Sequence, residues 1–332
     1  MDRYLGRKVK NDITNSYGMT LVPAGTTLID LHVELLRNHN VDPLSIILVS
    51  EVEDVYKHSV DKAVQTSEEL FQSIGKSNKI PLIEIQEELL PVIQQVSEHS
   101  NIFRLFQVVR ATDEYTYQHN IGVGILSTLI GKWLKLPEPD LSTLSLAATL
   151  HDVGKVNVPI DILNKPGKLT KEEYELIKKH TIYGYELLKN TEGLNRRIPL
   201  VALQHHERND GKGYPLGLKH NQVDYFSKIV AVADIFHAMS SKRPYHDPIP
   251  FHEIVSRMRT GLFGELDPNI VSVFLDNMIN RLIGETVSLS DGREGEVVYL
   301  NPHSRETPLV KVNEEFVDLS KRYDIRIQEV NV

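Results

Sequence analysis

The sequence predicts a mainly α protein, with a long helical segment from about residue 101 to 284 flanked by a small N-terminal α+β unit and a small C-terminal β unit. Three observations predict this. Between 101 and 284 apolar residues recur at helical spacing, in runs broken by Gly and Pro. Residues 1–50 and 285–332 instead carry short apolar runs separated by turn signals. The length, 332 residues, exceeds what one ordinary core organises and points to two or three domains.

Taken in order, Met19 to Thr26 reads as a strand and turn, Leu31 to Asn38 as a short helix, and Leu44 to Val49 as a closing strand. Residues 51–100 are charged and Gln-rich, with Leu82, Ile85, Leu89, Val92 and Val96 at helical spacing, so they read as helical connectors. Pro91 falls inside that pattern and is expected to kink or split the helix. Within 101–284, Thr170 and Glu173 have capping-box spacing, starting a helix with Tyr174, Ile177, Gly184 and Leu188 on one face. Gly154, after the run from Leu141 to Asp152, reads as a helix stop. In the tail, Glu296–Leu300, Leu309–Val312 and Ile325–Ile327 read as short strands.

Hydrophobic residues make up 41% and charged residues 25%, a globular composition. The net charge is −8, and the tail 285–332 has six Lys and Arg against ten Asp and Glu, so neither the chain nor its tail is expected to bind DNA or RNA. The chain has no cysteine, which excludes disulfides, thiolate metal sites and thiol catalysis and fits a reducing cytoplasm. No apolar run reaches the roughly 18 residues that a membrane span needs. The start lacks the apolar stretch of a signal peptide. The expected location is cytoplasmic, away from the membrane.

The chemistry is expected from imidazoles and carboxylates on apolar helices. His151-Asp152 ends one such helix and His205-His206 sits on a second. His180 follows Ile177 on an apolar face, His119 begins another apolar helix, and Asp234 lies inside the run Ile229 to Phe236. A carboxylate amid aliphatic residues must be paired or metal-bound. Neutral imidazole with carboxylate oxygen suits zinc, iron or manganese, and the lack of thiolate favours the last two. Taken singly each histidine fits a satisfied core residue; the two adjacent pairs together favour a metal centre.

His151-Asp152-Val153-Gly154-Lys155 resembles the signature of the HD phosphohydrolase superfamily. His205-His206-Glu207 with Asp210-Gly211-Lys212-Gly213-Tyr214-Pro215 resembles its HD-GYP branch. Leu163 to Thr170, Lys178-Lys179-His180, Val232-Ala233-Asp234 and Ser241 to Tyr245 complete the pattern over roughly 101–284. The resemblance implies an all-helical HD-type catalytic domain over 101–284, after an N-terminal unit (1–50) and a connector (51–100) and before a β extension (285–332).

It further implies a phosphodiesterase that converts cyclic di-GMP to pGpG, GMP or both through a metal-bridging hydroxide. The implied metal ligands are His119, His151, Asp152, His180, His205, His206 and Asp234, with Asp152 bridging two divalent ions, iron, manganese or one of each. His151, Asp152 and Lys155 would be catalytic, Lys155 neutralising a phosphate oxygen unless it serves only as a helix C-terminal cation. Arg243 would fork a phosphate or stack on guanine. In the glycine-rich loop 208–218, Gly213, Tyr214 and Pro215 would contact the dinucleotide, as would Asp113 if it is not simply a helix N-cap.

This chain departs from the family at two places. Tyr115 stands where some members carry a glutamate for a third metal, so a third ion is not expected. His237 stands where the family usually has Asp, and His246 where some members place a basic phosphate contact, which bears on substrate preference. His220 and His252 match nothing and read as surface residues. The N-terminal unit reads as sensory or dimerising, so a homodimer is one expectation. The alternatives are hydrolysis of cyclic GMP–AMP or another nucleotide at the same centre, or a catalytically silent cyclic di-GMP receptor.

Overall fold

The structure is a computed structural model and describes residues 4–331 apart from 16, 47–50, 99–100, 110–114, 166, 242–247 and 262–263. The chain divides into two compact units, Met1–Ser59 and Val60–Val332.

In the first unit β1 (Ile13–Thr14) pairs antiparallel with β2 (Thr20–Val22), and α1 (Asp30–Asn38) follows. Val9, Ile13, Val22, Leu28, Leu36 and Ile46 form its buried cluster. The strand expected at Leu44–Val49 is not formed at its start: Pro43–Ser45 is a 3-10 turn, and residues 47–49 lie outside the described residues. Pro43 fixes a turn-compatible φ, and the Ser45 hydroxyl donates to the Asp42 carbonyl at 2.7 Å, so the backbone curls instead of extending.

A long helix, α2 (Glu51–Ser77), leads into the second unit. Next come α3 (Leu82–Glu84), a π-helical turn (Ile85–Leu89) and α4 (Leu90–Val96). Pro91 has no N–H for the carbonyl one turn back, and the π turn just before it is the local widening that accommodates this defect. Then follow α5 (Ile102–Val109), α6 (Tyr115–Trp133) and α7 (Glu138–Thr149). α6 is buried without interruption from His119 to Gly131 and accordingly central, packing on α4, α7, α12 (Tyr225–Ser240) and α14 (Pro268–Asn280).

The chain between these elements runs through a 3-10 turn (Val153–Asn157), α8 (Ile160–Leu163), α9 (Lys171–Lys178), α10 (His180–Lys189) and α11 (Arg197–Gln204). The capping box at α9 forms as expected: the Glu173 N–H donates to Thr170 Oγ1 at 3.2 Å, and the Thr170 N–H to Glu173 Oε2 at 2.7 Å. The single helix expected beyond it is two, because ψ at Lys179 relaxes to −14° and interrupts the helix before His180. Tyr174 is exposed while Gly184 and Leu188 are buried.

Gly154 also differs from expectation. It does not stop a helix but lies in the 3-10 turn, where a Cβ would sit 1.9 Å from the His180 carbonyl oxygen and 2.3 Å from the Gly184 nitrogen. Only glycine allows α10 to cross the 153–157 turn at that distance.

After α13 (Phe251–Ser256) and α14 the chain forms β3 (Thr286–Leu289), β4 (Glu294–Asn301), β5 (Ser304–Val312), β6 (Glu315–Asp318) and β7 (Ile327–Asn331). They make one antiparallel sheet in the order β6-β5-β4-β3-β7. Its register sets buried valines opposite one another: Val287 with Val330, Val297 with Val310, Val310 with Val317. The sequence reading found β4 and β5 and missed β3 and β6. It also began the last strand two residues early, where Ile325 closes a turn by donating to the Arg322 carbonyl at 3.2 Å. His252 is not merely a surface residue, since its Nδ1–H donates to the Ile327 carbonyl at 2.7 Å and ties α13 to β7.

Candidate metal centre

Five places in the helical segment converge. His119 lies one turn inside α6, His151-Asp152 follow α7, His180 opens α10, His205-His206 follow α11, and Asp234 is midway along α12. His205-His206 are thus in the turn beyond their helix, not on it. Three of these rings use carbonyls of the turn before them. His151 Nδ1 is 2.7 Å from the Ala148 carbonyl oxygen, His180 Nδ1 2.7 Å from that of Ile177, and His205 Nδ1 3.0 Å from that of Ala202. A carbonyl only accepts, so each Nδ1 carries a proton, and in the neutral ring the Nε2 lone pair then faces inward.

All seven expected ligands come together in two groups. Asp152, His180, His205 and His206 have ligand atoms within 4.8 Å of one another, and so do His119, His151 and Asp234. Six are buried, and His206 is the partly exposed member. Asp152 faces both groups. Its Oδ1 is 3.2 Å from His180 Nε2 and 3.8 Å from His205 Nε2, while its Oδ2 is 3.4 Å from His151 Nε2 and 3.8 Å from His119 Nε2. Asp234 Oδ1 is 3.1 Å from His119 Nε2 and its Oδ2 3.9 Å from His206 Nδ1.

His151 Nε2 and Asp152 Oδ1 are buried with no partner in hydrogen-bonding geometry. Such atoms are costly unless something else satisfies them. Nitrogen and oxygen donors without sulfur match a borderline or hard divalent cation. The protonation states agree with that fit. Burial pushes the His119 and His205 rings down and the His206 ring down to about 3, leaving them neutral. Burial would raise the carboxyl pKa of Asp152 and Asp234, but Lys155 and His151 around the first and His119 around the second hold both well below the usual carboxylate range. His151 is the exception: burial lowers it, yet Asp152 and Asp234 outweigh burial and hold it up. A bound cation would reverse that balance by occupying the field of the same carboxylates.

The rim is built from the loop after His206. Glu207 is buried and accepts the Leu216 N–H at 2.7 Å and the Leu218 N–H at 2.9 Å, while the Tyr214 N–H donates to the His206 carbonyl at 3.2 Å. The loop folds so closely that a Cβ on Gly213 would lie 2.4 Å from the Arg208 nitrogen and 2.5 Å from the His206 oxygen. The Tyr214 ring consequently lies over His206, centroids 4.7 Å apart at 31°. A cleft of about 220 Å³ opens there, lined by Tyr174, His206, Arg208, Lys212, Tyr214 and Glu265.

Among the other expected site residues, Lys155 is held at the centre, its Nζ 2.5 Å from Asp152 Oδ2. Gly213, Tyr214 and Pro215 belong to the rim loop. Asp113, Arg243 and His246 lie outside the described residues. The sequence reading gave no role to Glu207 or Arg208, which shape the rim, nor to His237, which touches His119. Glu207 carried no pattern beyond the motif. His237 carried one, its i+3 spacing from Asp234 on one helix.

A buried cage of imidazoles and carboxylates at the meeting of short helices defines a helical metal-centre domain. Residues 104–270, half of the chain, match the HD domain family, and the chain belongs to that family. HD domains are metal-dependent. The chain is 37% identical over 217 residues to the cyclic di-GMP phosphodiesterase PA4108 of Pseudomonas aeruginosa, covering 65% of this chain and 52% of that one. It is 39% identical over 180 residues to a cyclic di-GMP phosphodiesterase of Thermotoga maritima (52% and 49% covered). It is 33% identical over 183 residues to the 3'3'-cGAMP-specific phosphodiesterase 3 of Vibrio cholerae (55% and 39%). The chain spans about half the length of the first two relatives. Its fold is similar to that of Bd1817, an HDG"Y"P protein from Bdellovibrio bacteriovorus, with a TM-score of 0.56 at 16% identity over 83% of this chain and 96% of that one. Among the described residues, no helix is long and apolar enough to cross a membrane.

Proposed function

We propose that the chain is a phosphodiesterase that hydrolyses cyclic di-GMP to pGpG, GMP or both at a centre of two divalent ions, iron, manganese or one of each. The observation that carries the reading is Asp152, whose two carboxylate oxygens face separate histidine groups. His119, His151 and Asp234 would hold one ion, His180, His205 and His206 the other, with Asp152 between them. A pair of divalent ions so held supplies Lewis-acid charge for attack on a phosphodiester and lowers the pKa of water.

The remaining steps fall to the chain's own groups. The backbone carbonyls of Ala148, Ile177 and Ala202 keep three Nε2 lone pairs aimed inward. Lys155 Nζ stands at the edge of Asp152 and adds a positive charge for a non-bridging phosphate oxygen. Tyr214, fixed over His206 by the Glu207-held loop, excludes water from one side and offers an aromatic face to a base. The relatives named for cyclic di-GMP support the substrate; those from Vibrio cholerae named for 3'3'-cGAMP make that dinucleotide the second reading.

The test is anaerobic purification, metal analysis, and chromatography after incubation with cyclic di-GMP or 3'3'-cGAMP. We expect bound iron or manganese, release of pGpG or GMP from cyclic di-GMP, and loss of both metal and activity in Asp152→Ala. Faster turnover of 3'3'-cGAMP would transfer the assignment to the second reading. Metal-loaded protein that leaves both substrates intact would make this chain a receptor.

A further inference from the structure

Glu265, just before α14, lines the rim cleft together with His206 and Tyr214. A carboxylate at the mouth of a cleft for a ligand with two phosphate charges repels that ligand unless it makes a specific bond in return. We propose that Glu265, with Arg208 beside it, is a specificity-determining residue that accepts hydrogen bonds from the Watson–Crick edge of a guanine base and turns adenine away. The proposal rests on reading a cyclic dinucleotide as the ligand of this site, and it names the base that the cleft admits.

The two side chains form one surface of donors and acceptors. Arg208 grips Asp210, with Nε 3.1 Å from Oδ1 and Nη2 2.8 Å from Oδ2, and the same Nη2 lies 2.9 Å from Glu265 Oε1. Among the described residues, Arg208 Nη1 and Glu265 Oε2 take part in no hydrogen bond. The two side chains are 34% and 30% exposed, so both can meet a ligand. The edge of guanine presents O6 as an acceptor, then N1–H and the N2 amine as donors. The Arg208 Nη1 protons match O6, and the Glu265 carboxylate matches the two donors. The edge of adenine presents an N6 amine and a bare N1, which sets donor against guanidinium and lone pair against carboxylate.

The surroundings suit a single base. The cleft measures about 220 Å³, below the roughly 300–1,000 Å³ of a pocket that takes a whole small molecule, so one base enters it and the rest of the dinucleotide does not. His206 lines the same cleft, which sets that base beside the centre. Tyr174 and Tyr214 supply flat walls, and Lys178 Nζ lies 5.0 Å and 5.5 Å from the two ring centroids, holding both rings to one cation. Glu265 itself is fixed through the backbone. Its carbonyl accepts the Asn209 N–H at 2.8 Å, and the Leu266 carbonyl accepts from Asn209 Nδ2 at 2.7 Å. The Glu265 side chain can therefore be changed without releasing the loop.

The test compares Glu265→Gln and Glu265→Ala with the wild type, the folding of each being checked by circular dichroism. Affinities for the bis-phosphorothioate forms of cyclic di-GMP and cyclic di-AMP, which resist hydrolysis, are measured by calorimetry in the presence of Mn²⁺. Cyclic di-AMP is the comparison because 3'3'-cGAMP still offers one guanine. The wild type should prefer the guanine analogue. Glu265→Gln should lower the guanine-over-adenine ratio by about 5- to 150-fold, because a carboxamide accepts from N6 of adenine and donates to its N1. Glu265→Ala should lose guanine affinity without gaining adenine affinity. Equal tightening of both analogues in Glu265→Gln, which loss of charge alone would give, overturns the proposal. So does an unchanged ratio in the folded variants, or a wild type that binds neither analogue. A guanine preference that Glu265→Gln abolishes, in a protein that hydrolyses no cyclic dinucleotide, would uphold the proposal and end the phosphodiesterase reading.

Discussion

The helical segment buries His119, His151, Asp152, His180, His205, Asp234 and His237, along with hydroxyl and amide side chains such as Asn120, Thr149 and Gln204. The sheet formed by β3 to β7 buries Val287, Leu289, Val297, Val310, Val312, Val317, Ile327 and Val330 and, among the described residues, no polar side chain. Burying ionisable groups opposes folding unless they are paired or ligating, whereas interlocked valines only favour it. The difference therefore separates a region shaped for chemistry from one shaped for stability. Within the first region, His151 Nε2 and Asp152 Oδ1 are buried without a hydrogen-bond partner, between the two groups that would hold the proposed ions.

The largest effect expected from this contrast is on the sheet. Leu289 is 2% exposed, and Leu289→Ala should cost about 2–5 kcal/mol of stability, read by denaturant or thermal unfolding. Mn²⁺ affinity of the folded protein should not change. A variant that lost metal affinity while still folded would break the division between the two regions.

A smaller loss of stability, this time joined to a loss of turnover, is expected at the rim. Gly213→Ala forces a Cβ against the backbone of His206, Glu207 and Arg208, none of which is a flexible side-chain end. The overpacking should cost about 1–3 kcal/mol. Because the loop carries Tyr214, turnover should fall in the folded protein at temperatures well below its lowered melting point. Unchanged turnover would remove Tyr214 and its loop from the site.

The same contrast explains what the sequence made legible. His151-Asp152 and His205-His206 were readable because polar pairs interrupt apolar helices, and all seven expected ligands meet in the structure. Gly154 was misread because its purpose is the crossing of α10, a long-range contact that no local pattern encodes. The split between α9 and α10 was missed because the apolar spacing continues across it while only ψ at Lys179 departs from the helical value. β3 and β6 were missed because each is four residues long and half exposed, too short for alternation to declare a strand. His237 read as a family departure, since its partners lie on α5 and α6 and only the fold brings them together.

The smallest effect sharpens the division within the helical segment itself. Thr170 caps α9 and Thr170→Ala should lower stability by about 1 kcal/mol, seen as faster hydrogen exchange of the Glu173 to Ile177 amides. Glu173, the other half of the box, has its carboxyl held below the ordinary value by Lys165 and by the Thr170 N–H. Its folded-state pKa is thus lower than its unfolded one, so its contribution is present above about pH 4.5 and is lost as pH falls through the lower folded value. That acid sensitivity should persist in Thr170→Ala, because the bond to Glu173 comes from the backbone of residue 170. Mn²⁺ affinity should stay at the wild-type level throughout. His180 is held from the other side, by the crossing of α10 over Gly154 and by the Ile177 carbonyl, so fraying the start of α9 leaves the ligand in place.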